Sequence, residues 1–166
     1  TVSGGEPLLQ WGFVSELFRR LKDVRIHTAL DTSGIGSIEG AGEVLKYTDL
    51  VLCDLKFGAE EDYRKYCGGS LQDVQAFLKL TEQLQVPLWV RHVVVPGLTA
   101  DTESLRSIAK MAKQFSNLKK IELLPFKKLC ISKYETLGIP FPLKDYEECP
   151  DSMYKIHFYC NNSIEL

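Results

Sequence analysis

Asp49-Leu50-Val51-Leu52-Cys53-Asp54-Leu55-Lys56 is the stretch whose reading decides the fold. Its nearly continuous apolar run is that of a parallel strand covered on both faces. Asp54 and Lys56 close it. Being two residues apart, they point the same way from an extended backbone and could form an ion pair. Cys53 points the other way, as a core thiol would.

Upstream, Arg25-Ile26-His27-Thr28-Ala29-Leu30 is short and β-prone and runs into Asp31-Thr32-Ser33-Gly34. A glycine-interrupted helix, Ile38 to Tyr47, follows. Before both, Leu8 to Lys22 predicts a helix with Phe13, Val14, Leu17, Phe18 and Leu21 on its apolar face. Downstream, Glu60 to Gly69 predicts a short helix and turn. Leu71 to Gln85 is a second helix with Val74, Phe77, Leu78 and Leu84 inward. Leu88 to Val95 is a strand closed by Pro96-Gly97. Asp101 or Thr102 caps a helix running to about Phe115. Lys120-Ile121-Glu122-Leu123-Leu124-Pro125-Phe126 is the last expected strand. The remainder is looser, with one short helix expected around Ser152 to Tyr159.

Strand and helix alternate throughout, so the fold class is α/β with a mostly parallel sheet. A doubly wound sheet and a partial β/α barrel both fit this order. A chain of 166 residues is one domain, taken as 1–166. The formal charge of −2 excludes the basic footprint of a nucleic-acid binder. No apolar run is long enough to span a bilayer, so no membrane partner is expected and the cytoplasm is the default location. Cys53, Cys67, Cys130, Cys149 and Cys160 form no C-x-x-C pair, which argues against a disulfide framework or a self-contained metal motif.

Thr1-Val2-Ser3-Gly4-Gly5-Glu6-Pro7 reads as a strand end, a glycine turn, an acid and a helix start. Glycines let a ligand approach the backbone closely, and Pro7 pre-sets the helix. The other strand ends are polar too: Asp31 and Thr32, then Asp54 and Lys56, then Arg91 and His92, then Lys127. In parallel β/α folds these ends converge on one face, where sites lie. Asp31 could be a turn residue only. His92 reads as a satisfied core histidine, and since it alternates with Arg91 only one of the two can face the site.

Those blocks, with Trp89-Val90-Arg91-His92-Val93-Val94-Val95-Pro96-Gly97 and Ile121-Glu122-Leu123-Leu124-Pro125-Phe126, resemble the activating enzymes of glycyl radical enzymes, above all those of pyruvate formate-lyase. These belong to the radical S-adenosylmethionine (SAM) superfamily. The resemblance runs from Thr1 to about Phe126 and more thinly through Leu137-Gly138. It implies a fragment of a partial (β/α)6 TIM-like barrel, incomplete at its N-terminus. It implies an oxidoreductase of anaerobic chemistry, in which a [4Fe–4S] cluster on a C-x3-C-x2-C motif cleaves SAM reductively and the resulting radical takes a hydrogen from a glycine of the partner. Implied partners are a glycyl radical enzyme such as pyruvate formate-lyase and an electron donor such as flavodoxin or ferredoxin.

Carried over by position, Gly4, Gly5 and Glu6 would hold the SAM amino group and Lys56 its carboxylate. Asp31, Thr32 and Asp54 would hold a monovalent cation beside SAM, Leu124 would pack on adenine, and Arg91 would stand catalytically at the mouth. Two departures matter. The cluster cysteines are absent, so this segment alone is expected to be inactive, with an unclosed sheet edge. Lys127 stands where the pyruvate formate-lyase activases carry a ribose-binding His. Two alternatives remain: another radical SAM enzyme on the same barrel, or a degenerate SAM-binding or interaction module.

Overall fold

The structure, a computed structural model, describes residues 1–150 and the backbone of 156–159. Glu6 opens the first helical segment: its carboxylate accepts from the Leu8 N–H, and Pro7 begins a 3-10 turn, Pro7–Gln10. This turn leads into α1, Trp11–Asp23, which buries Val14 and Phe18. Strand β1, Ala29–Thr32, follows. Helix α2, Ile38–Leu45, is capped by Ser37, whose hydroxyl accepts from the Gly40 N–H; β2 is Leu50–Asp54. A short helix α3, Glu60–Asp62, continues as a π-turn, Tyr63–Cys67. Then come α4, Leu71–Gln83; β3, Leu88–Val94; α5, Thr102–Ala112, capped by Asp101; and β4, Leu118–Pro125. Helix α6, Ile131–Leu137, and β5, Ile156–Tyr159, complete the described chain.

Strands β1 to β4 are parallel and lie side by side in chain order, and β5 joins the β4 edge antiparallel. That order separates the two architectures left open by periodicity. Right-handed crossovers between successive neighbours put every helix on the same face, whereas a doubly wound sheet must reverse direction. Burial agrees: along β3 it strictly alternates, with Leu88, Val90, His92 and Val94 buried and Trp89, Arg91 and Val93 partly open. One face is apolar and helix-covered; the other faces the lumen of a partial barrel. Val2 adds one parallel bridge to Leu30, its N–H donating to Ala29 O at 2.9 Å and its carbonyl accepting from Asp31 N at 2.9 Å. The first residues are therefore a strand end, as their glycine turn suggested.

Several sequence expectations are corrected. Strand β2 is covered on one face only: Val51 and Cys53 are fully buried, while Leu50, Leu52 and Asp54 face the lumen. β1 begins at Ala29 rather than Arg25, which sits at φ 61 just after α1, so Asp31 and Thr32 belong to the strand itself. Phe13, expected in the core, is 67% exposed, and Leu84 is likewise open. Phe13 stands at the rim of its helix's apolar arc, whose width sequence period alone does not set, and Leu84 is the cap residue just past the last turn of α4. Helix α6 lies in the stretch expected to be loose. The helix expected at its end falls on residues outside the description for 152–155, and Ile156–Tyr159 is a strand.

Cys53 is fully buried, which pushes its thiol well above the usual range; Cys149 is buried too, and Cys67 is exposed. At pH 8, alkylation mapped by mass spectrometry should modify Cys67 and spare Cys53 and Cys149 until denaturant is added. Partial burial raises the Cys67 pKa, so its labelling should be slower than that of free cysteine and should speed up as pH rises.

Candidate active site at the strand ends

The polar strand ends are assembled by strand alternation. Asp31 (β1), Asp54 (β2) and Arg91 (β3) all project from the lumen face, and Asp54 and Arg91 are direct neighbours in register. Arg91 lies between the two acids. Its Nε donates to Asp54 Oδ1 at 2.9 Å, its Nη2 reaches the same oxygen at 2.8 Å, and Nη2 also donates to Asp31 Oδ1. Burial alone would lower the Arg91 pKa, but Asp54 and Asp31 outweigh it, so the guanidinium is held even more firmly charged. Ser3 Oγ donates to the other Asp31 oxygen at 2.9 Å. Lys56 Nζ lies 3.5 Å from Asp54 Oδ2, the ion pair its spacing allowed. A continuous chain of polar groups thus runs Ser3–Asp31–Arg91–Asp54–Lys56 across the top of the sheet.

Glu6 sits at the centre of a second network. Its Oε1 accepts from Thr32 Oγ1 at 2.6 Å and Leu8 N at 3.0 Å; its Oε2 accepts from Ser33 Oγ at 2.6 Å and Ser33 N at 2.8 Å. Four donors fill the accepting capacity of a carboxylate. The acid that follows the glycines therefore fastens the first turn to the end of β1. Gly4 and Gly5, both exposed, adopt φ 89 and 57. A Cβ at either would meet nothing within 4 Å, so glycine is required there by backbone conformation rather than by space. Among the described residues nothing takes their carbonyls, which leaves two acceptors open to a ligand ammonium.

Thr32 follows Asp31 in an extended strand and so turns to the opposite face. It is buried, donates to Glu6 and accepts from Gly34 N at 2.9 Å. It does not join the two acids. A monovalent cation at Asp31, Thr32 and Asp54 thus does not fit the residues as arranged: the hydroxyl is engaged elsewhere and a guanidinium already lies between the carboxylates. His92 turns to the helix side, fully buried, its Nδ1 2.8 Å from Leu55 O; burial lowers its pKa. It is the core histidine expected, but not a fully satisfied one: its Nε2 is buried with no hydrogen-bond partner among the described residues. Leu124 pairs with Val93 and is partly open to the lumen. Lys127 Nζ donates to Cys149 O at 2.9 Å and lies 3.9 Å from Glu148, which holds the chain after α6 against the ends of β3 and β4.

Four groups carry no sequence signal of their own. Ser3 and Ser33 are ordinary serines until folding places them on Asp31 and Glu6. Tyr63 is buried, and its Oη accepts from Lys56 N at 2.9 Å; edge-on packing against Phe57 fixes its ring. Deeper in the lumen, Lys120 lies over the Trp89 ring at 4.5 Å and 3.1 Å from Glu122. A cysteine-ligated cluster finds no fit here: among the described residues no three His, Cys, Asp or Glu side chains converge as metal ligands.

The Radical SAM superfamily profile matches residues 1–109. This chain belongs to that superfamily. It is 42% identical to the pyruvate formate-lyase-activating enzyme of Clostridium pasteurianum over 147 residues, covering 89% of this chain and 61% of that protein. It is 36% identical to the enzyme of the same name from Staphylococcus epidermidis over 162 residues, covering 93% of this chain and 64% of that one. The chain thus spans less than two thirds of these relatives' length. The crystal structure of a domain of the pyruvate-formate lyase-activating enzyme from Bacteroides vulgatus superposes with a TM-score of 0.69 at 20% identity, over 90% of this chain and 84% of that one. At that identity the likeness bears on the fold, which is the partial barrel described above.

Glu6→Ala should destabilise the fold by about 2–4 kcal/mol, because two backbone N–H groups and two hydroxyls lose a charged acceptor. Urea unfolding measures this; a loss below about 0.5 kcal/mol would mean that water replaces the carboxylate and that Glu6 does not organise the turn.

Proposed function

We propose that the protein containing this chain is a radical SAM activase that takes a hydrogen atom from a glycine of a glycyl radical enzyme, with pyruvate formate-lyase the preferred partner. The observation that carries this is the convergence of an open glycine-carbonyl turn and an ammonium, Lys56, on one row of strand ends. SAM presents complementary ends there. Its ammonium needs carbonyl acceptors, which Gly4 and Gly5 offer, and its carboxylate needs a cation, which Lys56 offers. Similarity to two pyruvate formate-lyase-activating enzymes supports the choice of partner class.

Within this reading each group has a defined task. Glu6 holds the glycine turn at its φ values through Thr32 and Ser33. Tyr63 fixes the backbone of Lys56. Leu124 supplies an apolar wall for adenine. Arg91, tied to Asp31 and Asp54, presents its charge at the lumen mouth where a glycine-bearing loop would enter. Lys127, already engaged with Cys149 and Glu148, supports that mouth rather than a ribose. When bound, the cluster and SAM together supply the radical; the cluster's thiolates would come from residues other than those of 1–150. The segment 1–166 would be one barrel domain of a longer chain, and an electron donor of the flavodoxin or ferredoxin kind would reduce the whole enzyme.

In full-length protein reconstituted with iron and sulfide, Lys56→Ala should weaken SAM binding by about 10- to 100-fold, the equivalent of about 1.5–3 kcal/mol for a charge-assisted contact. Asp31→Ala should weaken it as well, by releasing Arg91 and Ser3. Calorimetric titration reads both; unchanged affinity in both variants refutes the site. The partner class is tested by EPR: the wild-type protein, reduced and supplied with SAM, should raise a glycyl radical signal on pyruvate formate-lyase. If SAM is cleaved and no such signal forms with any glycyl radical enzyme offered, the protein is a radical SAM enzyme of another kind.

A further inference from the structure

The acid pair at the ends of β1 and β2 is where the family resemblance leads one to expect a monovalent cation, and the structure disagrees. Two carboxylates at neighbouring strand ends, both partly shielded from water, demand a countercharge. One is already in place. Arg91 bridges Asp31 and Asp54 through Nη2, and its Nε also donates to Asp54. Their side chains are 18%, 19% and 25% exposed. Lys56, 3.5 Å from the outer Asp54 oxygen, brings a second positive charge. Two acids and two bases leave the cluster neutral. The third proposed ligand, the Thr32 hydroxyl, lies on the other face of the strand and is held by Glu6 and Gly34.

Ion coordination requires oxygens converging on one point with nothing positive between them. Here a planar guanidinium fills that point. Guanidinium is weakly hydrated and can bond two carboxylates at once, so it serves the acid pair well in a half-buried setting. Adding a cation while Arg91 stays would place like charges side by side within a shielded cluster.

We propose that the Arg91 guanidinium is the resident countercharge of the Asp31–Asp54 pair, so that Arg91 and a monovalent cation exclude one another there. The two carboxylates keep the capacity to bind an ion, but only once the arginine is absent or has left. This does not rest on the SAM assignment, because its test needs no SAM.

The test uses the reconstituted full-length protein without SAM, sodium replacing choline at constant ionic strength. Sodium-23 line broadening reports ion binding, and the Arg91 Nε–H signal in nitrogen-15 spectra reports the bridge. For wild type we expect no site-specific broadening and an unmoved Arg91 signal. Arg91→Gln should bind sodium roughly tenfold or more tightly than wild type, since the like charge is gone, and Arg91→Gln combined with Asp54→Asn should lose that binding. A wild type that binds sodium while the Arg91 signal shifts away also meets the proposal, because exchange is then seen directly. Sodium bound in the wild type with the Arg91 signal unmoved overturns it, and this arm needs no variant. So does a folded Arg91→Gln protein that binds no sodium.

Discussion

A parallel sheet whose strands lie in chain order can be covered by its own helices on one face only. Everything else in this structure depends on that constraint. The covered face takes Leu30, Val51, Cys53, Leu88, Val90 and Ile121 as a dry core. The opposite face is left to curve around a lumen, and there the same strands can carry Asp31, Asp54, Trp89, Arg91, Lys120 and Glu122 without burying an unpaired charge. Charged groups on that face are tolerable because they are paired. Asp31, Asp54 and Arg91 pair across three strands at the top, and Lys120 and Glu122 pair along β4 lower down.

Two features tie the start of the chain into this frame. Val2 pairs with β1 through both its backbone groups, and Glu6 reaches over to Thr32 and Ser33 at the end of the same strand. The glycine turn between them is therefore held at both ends, while among the described residues nothing takes its carbonyls. A turn held at both ends has little conformational freedom left to lose. Glu6 supplies that restraint from beside the two glycines.

Much of this is legible in the amino-acid sequence. The alternation of strand and helix through β4 and the inward Phe18, Phe77 and Leu78 follow from local periodicity, while spacing leaves the α5 cap open between Asp101 and Thr102 and allows, without requiring, the Asp54–Lys56 pair. Alternation leaves Arg91 and His92 as alternatives for the site face, and the family resemblance, not spacing, puts Arg91 there. The failures were also local in origin. The expected end of β1 lies two residues early, which places Asp31 and Thr32 in a loop; in the strand, alternation sends them to opposite sides, and the ion shared between them comes from the family resemblance alone. Phe13 falls on the predicted core face because a helical period marks a face but not how far a neighbouring element reaches over it.

The amino-acid sequence by itself determined which chemical groups stand at the C-terminal ends of the strands, because hydrophobic pattern ends each strand at a definite residue. Only the tertiary structure decided which of those groups meet. Arg91 could have faced a substrate, an ion or Glu122; its position between Asp31 and Asp54 depends on register between strands 37 and 60 residues apart in the chain. Ser33 on Glu6 likewise joins groups 27 residues apart that only the pairing of the first residues with β1 brings together. Side-chain partners across a sheet follow from three-dimensional register, and local sequence pattern carries no record of it.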